Sequence, residues 1–478
     1  MALVNNADGF TDYNSTGTVY YVAAGGSDSN AGTSTSAPLA TIAGAYGKVT
    51  GGTGAKILLK RGDSFVANTL AWTKSGASST DFLVLGAYGP LTDPRPQVTC
   101  TGSYGIQVNN ATVRYVAFQS LNFQTGGAPY GLSFLFQGQG TSKVLDYIDV
   151  EDCRFENLYR GMRWQTDQPS PTPATNCRLV RNTFKRCDIG YYSSMLHTAE
   201  VRDNIYIECG ANFREHGCYF DDARYVVTEP AIQYRGNIAM GSNRGGGEGH
   251  KLRPVSTAGE IKGNFAARYG IGITAGSGGT SNGGGTDQDP GYELSANILS
   301  NVVTEGGDMK DAAGGTMPRG QGMWLIWLSG GSTVVRYNCI TDMAGGYRAG
   351  IVFSNGPSDG VTINQNTCYN AGGSGGAALY SLQSGPTLTG LVVTSNRFRE
   401  EGSNALIICE SGTMTPVTRT GNTFASTIAQ GSMVQGAGSV GQYGTIVTPA
   451  GNGLVGAKPT ITTFLASIGI TGNYNTLL

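Results

Sequence analysis

GNIAMGSNRGGGEGHKLRPVSTAGEIKGNF, residues 236–265, begins and ends on the same element, an Asn that opens an apolar run. Asn237 in GNIA and Asn264 in GNFA lie 27 positions apart. The element recurs as Asn182 in RNTF, Asn204 in DNIY, Asn297 in ANIL, Asn338 in YNCI, Asn366 in QNTC, Asn396 in SNRF and Asn422 in GNTF. From Asn182 to Asn422 the successive spacings are 22, 33, 27, 33, 41, 28, 30 and 26 residues. A repeat near thirty whose length drifts by insertion signals a solenoid, in which no coil buries its own apolar face and only stacked neighbours cover it. The expected fold class is all-β, a right-handed parallel β-helix of short strands joined by turns. Asn tolerates the left-handed conformation that a sharp turn needs, and stacked Asn side chains can hydrogen-bond from coil to coil.

Composition agrees. Gly is 74 of 478 residues, about twice the usual share, while Pro is only 17 and no collagen period exists. Apolar residues make up 39%, too many for a disordered chain. The formal net charge of −1 argues against a chain built to bind nucleic acid or an anionic membrane. Nine cysteines show no metal-ligand spacing, so most read as buried free thiols. Met1–Phe10 holds no apolar core of signal-peptide length, and no run reaches 18 apolar residues, so no membrane insertion is expected.

Four segments follow: an arm over 1–17, loose by its polarity; an N-terminal cap over 18–75; the parallel β-helix over 76–445, which carries the chemistry; and a C-terminal cap segment over 446–478. Within the N-terminal cap VYYV reads as a strand, and Leu39, Ile42, Ala43, Tyr46 and Val49 recur at helical spacing behind Pro38, which suits the first position of a helix. Insertions at 165–176, 274–291 and 305–322 are placed to wall one binding face.

The stretches YYVAAGGSDSNAGTSTSAPLATIAGAYGKV (20–49), ILLKRGDSF (57–65) and LVLGAYGPLTDPRPQV (83–98) resemble the opening of right-handed parallel β-helix proteins of the pectate-lyase-like superfamily. The ending, PTITTFLASIGITGNYNTLL, is similar to the terminal segment of some secreted or prophage β-helix proteins. The resemblance implies cleavage of an acidic or capsular polysaccharide, a site on the outer face of a sheet, and an extracellular or phage-virion location, as monomer or homotrimer.

Reactive side chains concentrate in two clusters whose starts lie 30 residues apart, Arg214–Arg224 and Arg244–Arg253, in a chain that is only 14% charged. β-Elimination of a uronic acid needs a cation for the carboxylate, a base for the C5 proton and an acid for the leaving oxygen. Arg253 or Arg244 fits the first role, Lys251 the second, and Tyr219 or His216 the third. Simple alternation puts Lys251 with Arg253 on one face, and Glu248 with His250 on the other unless a bulge intervenes. Glycoside hydrolysis instead needs two carboxyls, which Asp221, Asp222 and Glu248 offer; a non-catalytic glycan-binding tailspike or adhesin is the third reading. The order Asp221–Asp222, then Gly249–His250, is similar to polygalacturonases, without their NTD and RIK elements. The chondroitinase-B-like and alginate lyases match Lys251, loosely match Glu248 as a calcium ligand, and leave Arg268 nearest to their next-coil Arg. Trp324 and Arg348 are further candidates for lining a glycan groove. No motif demands a cofactor; Asp287, Asp289 and Glu293 offer oxygen ligands for Ca²⁺.

Overall fold

The computed structural model describes residues 10–13, 16–109, 111–127, 129–136, 143–166, 174–194, 196–210, 212, 215–220, 231–241, 247–252, 259–276, 297–306, 309–310, 313, 315–317, 320–326, 333–341, 343–344, 349–354, 358–369, 377–381, 388–400, 406–409, 418–426, 434–435 and 444–446. The chain divides into two compact units, residues 1–205 with 225–227, and residues 206–224 with 228–478. Each is a right-handed parallel β-helix.

In the first unit Val19–Val22, Lys56–Lys60, Leu83–Tyr88, Val113–Gln119, Leu145–Glu151, Cys177–Val180 and Thr198–Arg202 stack in that order, every pairing parallel. Their inward side chains form continuous stacks. Phe123, Phe155 and Phe184 lie in register with ring centroids 5.1 and 4.9 Å apart and planes within 9° of parallel, so one ring repeats at each coil. In the second unit Ala231–Arg235, Glu260–Lys262, Asn297–Leu299, Val334–Arg336, Thr362–Asn364, Val392–Thr394 and Thr418–Thr420 stack the same way.

The Asn repeat is the spine of each stack. Asn182 and Asn204 pair in the first unit. Asn237, Asn264, Asn301, Asn338, Asn366, Asn396 and Asn422 form a ladder in the second. At each step of that ladder the backbone N–H and the Nδ2–H of one Asn both donate to Oδ1 of the next, at 2.9–3.1 Å. Two details differ from the sequence expectation. The rung after Asn264 is Asn301, not Asn297, which opens the strand Asn297–Leu299; both neighbouring steps are therefore 37 residues long. The left-handed residue is the one before each Asn: Gly236, Gly263, Ser300, Tyr337, Gln365, Ser395 and Gly421 have φ between 55° and 68°. The preceding residue takes the strained turn, which frees each Asn to hold both neighbours.

The N-terminal region also departs from expectation. The helix starts at Ile42, not Pro38, because Thr41 is its N-cap and accepts from the Gly44 N–H at 2.9 Å. It runs to Lys48 and buries Ile42, Ala45 and Tyr46, with the Tyr46 ring 4.6 Å from Trp72. Residues 10–13 are not loose. Tyr13, 2% exposed, donates its hydroxyl to Asp149 at 2.9 Å, and the Thr11 N–H donates to Glu151 at 3.1 Å. Buried Asp149 is in turn held by Arg178 at 2.9 Å. Cys100, Cys153, Cys177, Cys187, Cys209, Cys218 and Cys368 are buried free thiols, as expected.

Candidate active site

A second repeat places the reactive side chains. The pattern x-Gly-Φ-x, with Φ mostly apolar, occurs as HGCY (216–219), EGHK (248–251), IGIT (271–274), QGMW (321–324) and AGIV (349–352), all in the second unit. Each glycine takes the inner side of the sheet. A Cβ on Gly249 would meet the Tyr269 ring at 3.1 Å and the Ala266 Cβ at 3.2 Å; one on Gly217 would stand 2.4 Å from the Gly249 carbonyl oxygen. The Φ residue that follows is also inside: Cys218, His250, Ile273, Met323 and Ile351 are fully buried. Two consecutive inward positions reset the alternation. The residue before each glycine and the residue after Φ therefore leave the inner row; Tyr219, Lys251 and Trp324 keep some exposure, while His216, Glu248, Ile271, Thr274, Gln321, Ala349 and Val352 are buried.

That reset decides which predicted residues meet. Cys218 pairs with His250 and Tyr219 with Lys251 on neighbouring coils, and Lys251 pairs onward with Thr274, and Thr274 with Trp324. Tyr219, Lys251, Thr274 and Trp324 thus form one column in register, partly exposed except at the buried Thr274, with Trp324 two coils, or about 10 Å, from Lys251. Beside it, Glu248 and Gln321 precede their glycines. Lys251 Nζ lies 3.2 Å from Glu248 Oε1, with side chains only 13% and 5% exposed. The same ammonium stands 4.5 Å from the centre of the Tyr219 ring. The Tyr219 ring meets His216 edge-on, centroids 5.0 Å apart at 77°. His216, 1% exposed, accepts the Glu248 backbone N–H on Nδ1 at 3.2 Å, so the neutral ring carries its proton on Nε2. Among the described residues Thr274 Oγ1 and Gln321 Oε1, both buried, have no hydrogen-bond partner.

His250 is a correction. The expectation counted it among the catalytic groups and on the face of Glu248; the glycine reset turns it into the core. It is fully buried, with Nδ1 2.7 Å from the Tyr234 hydroxyl and Nε2 2.9 Å from the Phe265 carbonyl oxygen. Burial pushes its pKa down from 6.5 to about 4. Between those values the unfolded chain binds a proton that the folded chain refuses, so stability is present above about 6.5 and is lost as the pH falls toward 4. The loss expected from this one ring is about 3 kcal/mol. In urea unfolding at pH 7 and pH 4.5, wild-type protein should lose about 2 kcal/mol more than His250→Gln, since part of the effect lies below pH 4.5; equal losses would refute the assignment.

Arg268 sits at a left-handed turn with φ 62° and is committed to Glu305 at 3.0 Å, both half exposed, so it does not supply the next-coil cation. Asp221, Asp222, Arg244, Arg253 and Arg348, and the calcium candidates Asp287, Asp289 and Glu293, lie outside the described residues. Among the described residues no three His, Cys, Asp or Glu side chains come together to hold a metal ion.

No protein-family model and no curated protein sequence matches the chain. Solved structures do. A GH136 lacto-N-biosidase from Eubacterium ramulus is 13% identical over 90% of this chain and 67% of its own, with a TM-score of 0.40. A rhamnogalacturonan lyase is 12% identical over 80% and 87%, with a TM-score of 0.39. The tailspike protein of E. coli bacteriophage HK620, solved with a pentasaccharide, is 14% identical over 83% and 66%, with a TM-score of 0.33. All three TM-scores lie below 0.5, and no property of these proteins is carried to this chain. The fold itself, a parallel β-helix, rests on the chain's own strand pairings. In such a β-helix the outward column is set by strand register, and here the register gathers His216, Tyr219, Glu248 and Lys251 from two coils 32 residues apart.

Proposed function

We propose that the chain is a polysaccharide depolymerase that cleaves an acidic extracellular or capsular glycan by β-elimination on the outer wall of the second unit. The observation that carries this reading is the convergence of an amine, a phenol and an imidazole, with Lys251 over the partly exposed Tyr219 and Tyr219 against the buried His216. Lys251 is the base that takes the C5 proton of a uronate. The electron pair left on C5 forms the C4–C5 double bond as the C4–O glycosidic bond breaks. Tyr219 or His216 gives its proton to the departing oxygen. Glu248 holds the lysine in place, Arg253 or Arg244 meets the substrate carboxylate, and Trp324 offers a ring two coils away for a neighbouring sugar to stack on. Roles in which the base and acid are both within reach of one sugar match what proton abstraction next to a carboxylate requires.

The test is incubation with a panel of acidic polysaccharides while ultraviolet absorbance and reducing ends are followed together. Elimination predicts that both rise, because the new double bond is conjugated to the carboxylate. Reducing ends without absorbance would reject elimination and favour hydrolysis through Asp221, Asp222 and Glu248. Binding without any product would favour a non-catalytic tailspike or adhesin.

A further inference from the structure

The x-Gly-Φ-x pattern also runs through the first unit, as YGIQ (104–107), YGLS (130–133), RGMR (160–163) and IGYY (189–192). Its outward positions carry something else. Arg160 pairs in register with Tyr130, and Tyr130 with Tyr104; Arg163 pairs with Ser133 on one side and Tyr192 on the other. The Tyr104 and Tyr130 rings are stacked, 5.1 Å apart at 21°. The Arg160 guanidinium lies 4.2 Å from the centre of the Tyr192 ring, and that of Arg163 lies 4.8 Å from the centre of Tyr130.

The two guanidiniums are neighbours, since both donate to the same neutral atom, Gln165 Oε1, at 3.2 and 2.7 Å. Among the described residues neither forms an ion pair with a carboxylate. Among the described residues the buried Arg160 Nε–H has no hydrogen-bond partner, nor has the hydroxyl of Ser133, a residue 1% exposed in the column between Gln107 and Arg163. Two cations that repel each other across one amide oxygen, with donors unspent, are stabilised by a bound anion. A guanidinium fork matches a planar carboxylate or a sulfate, and the stacked tyrosines offer the flat apolar surface that a sugar ring covers.

We infer that this face of the first unit is a binding site for an anionic glycan, a sugar chain bearing carboxylate or sulfate groups. The inference rests on the proposed glycan-cleaving function and names its substrate class as acidic. Because it concerns binding, it is measured on Lys251→Ala protein, which is expected to leave the polymer uncut.

Full-length Lys251→Ala protein is run through native gels cast with polygalacturonate, dextran sulfate or neutral dextran. Retardation by one or both anionic polymers and not by dextran is expected, and which polymer retards it distinguishes carboxylate from sulfate. Adding Arg160→Gln and Arg163→Gln should weaken that binding about a hundredfold, about tenfold for each lost fork. Arg160→Lys with Arg163→Lys keeps both charges and should bind between the two extremes, which covers the case where the Gln pair folds poorly. Equal retardation by dextran, no retardation in any gel, or binding unchanged in both paired variants overturns the inference. Unchanged cleavage by Lys251→Ala would instead overturn the active site on the second unit and leave this one standing.

Discussion

Lys251→Ala is expected to lower turnover of an acidic polysaccharide by about a thousandfold, within the range of about 10²–10⁴ that a positioned general base contributes. The lysine sits where few side chains can replace it: nearly buried, 3.2 Å from Glu248 and over the Tyr219 ring. Removing one partner of so enclosed a charge pair also destabilises the local fold, by about 3 kcal/mol if the carboxylate stays charged. Lys251→Arg separates the two effects. Its guanidinium still faces Glu248 but stays protonated at any ordinary pH, so the fold should hold while turnover falls as far as in the alanine variant. Tyr219→Phe, which keeps the ring beneath the ammonium and removes only the proton donor, should cost about a hundredfold. Full turnover in Lys251→Arg would mean that the residue acts only as a charge and that the base lies elsewhere.

A large effect on stability is also expected from the Asn spine. Asn338 Oδ1 accepts both the N–H and the Nδ2–H of Asn301 at 2.9 Å, and its own Nδ2 donates to Asn366 Oδ1 and to the Ile298 carbonyl oxygen, each at 2.9 Å. The residue is 1% exposed, so water cannot replace those bonds. Asn338→Ala strands the Asn301 N–H and the Ile298 carbonyl oxygen in the core, and the expected cost is about 3 kcal/mol. In a stack where each coil leans on its neighbours the damage is local before it is global. Hydrogen exchange should therefore show faster exchange first at the Asn301 and Asn338 amides, with the urea midpoint lowered as well. Unchanged protection at both would mean that the ladder is incidental.

How much of this was legible beforehand follows from what kind of signal each feature leaves. The Asn repeat is a sequence signal because one residue type is required at one place in every coil, and it gave the solenoid directly. Its phase slipped at Asn297 because two asparagines lie four apart there, and only the left-handed Ser300 marks Asn301 as the rung. The meeting of Tyr219 with Lys251 was legible from the repeat length. The facing of His250 was not, since plain alternation sets it beside Glu248, and the glycine ahead of it breaks that alternation. The x-Gly-Φ-x pattern was the available signal. Read as a column, it takes Glu248, Lys251, Thr274, Gln321 and Trp324 off the inner row, and brings forward Arg160 and Arg163, which charge counting alone passes over. The docking of Tyr13 on Asp149 left no trace, because a contact across 136 residues has no local pattern.

The central claim is one of register: Tyr219 and Lys251 are side-by-side residues of adjacent parallel strands, facing outward together. Parallel neighbours stand about 4.8 Å apart, inside the range of Cα separations that a disulfide spans. Tyr219→Cys combined with Lys251→Cys should therefore oxidise to an intramolecular disulfide in the folded protein, read as the loss of both new thiols under native conditions and their return on reduction, with the buried native cysteines unreactive throughout. Two new thiols that stay free and label independently under oxidising conditions would contradict the register, and with it the site.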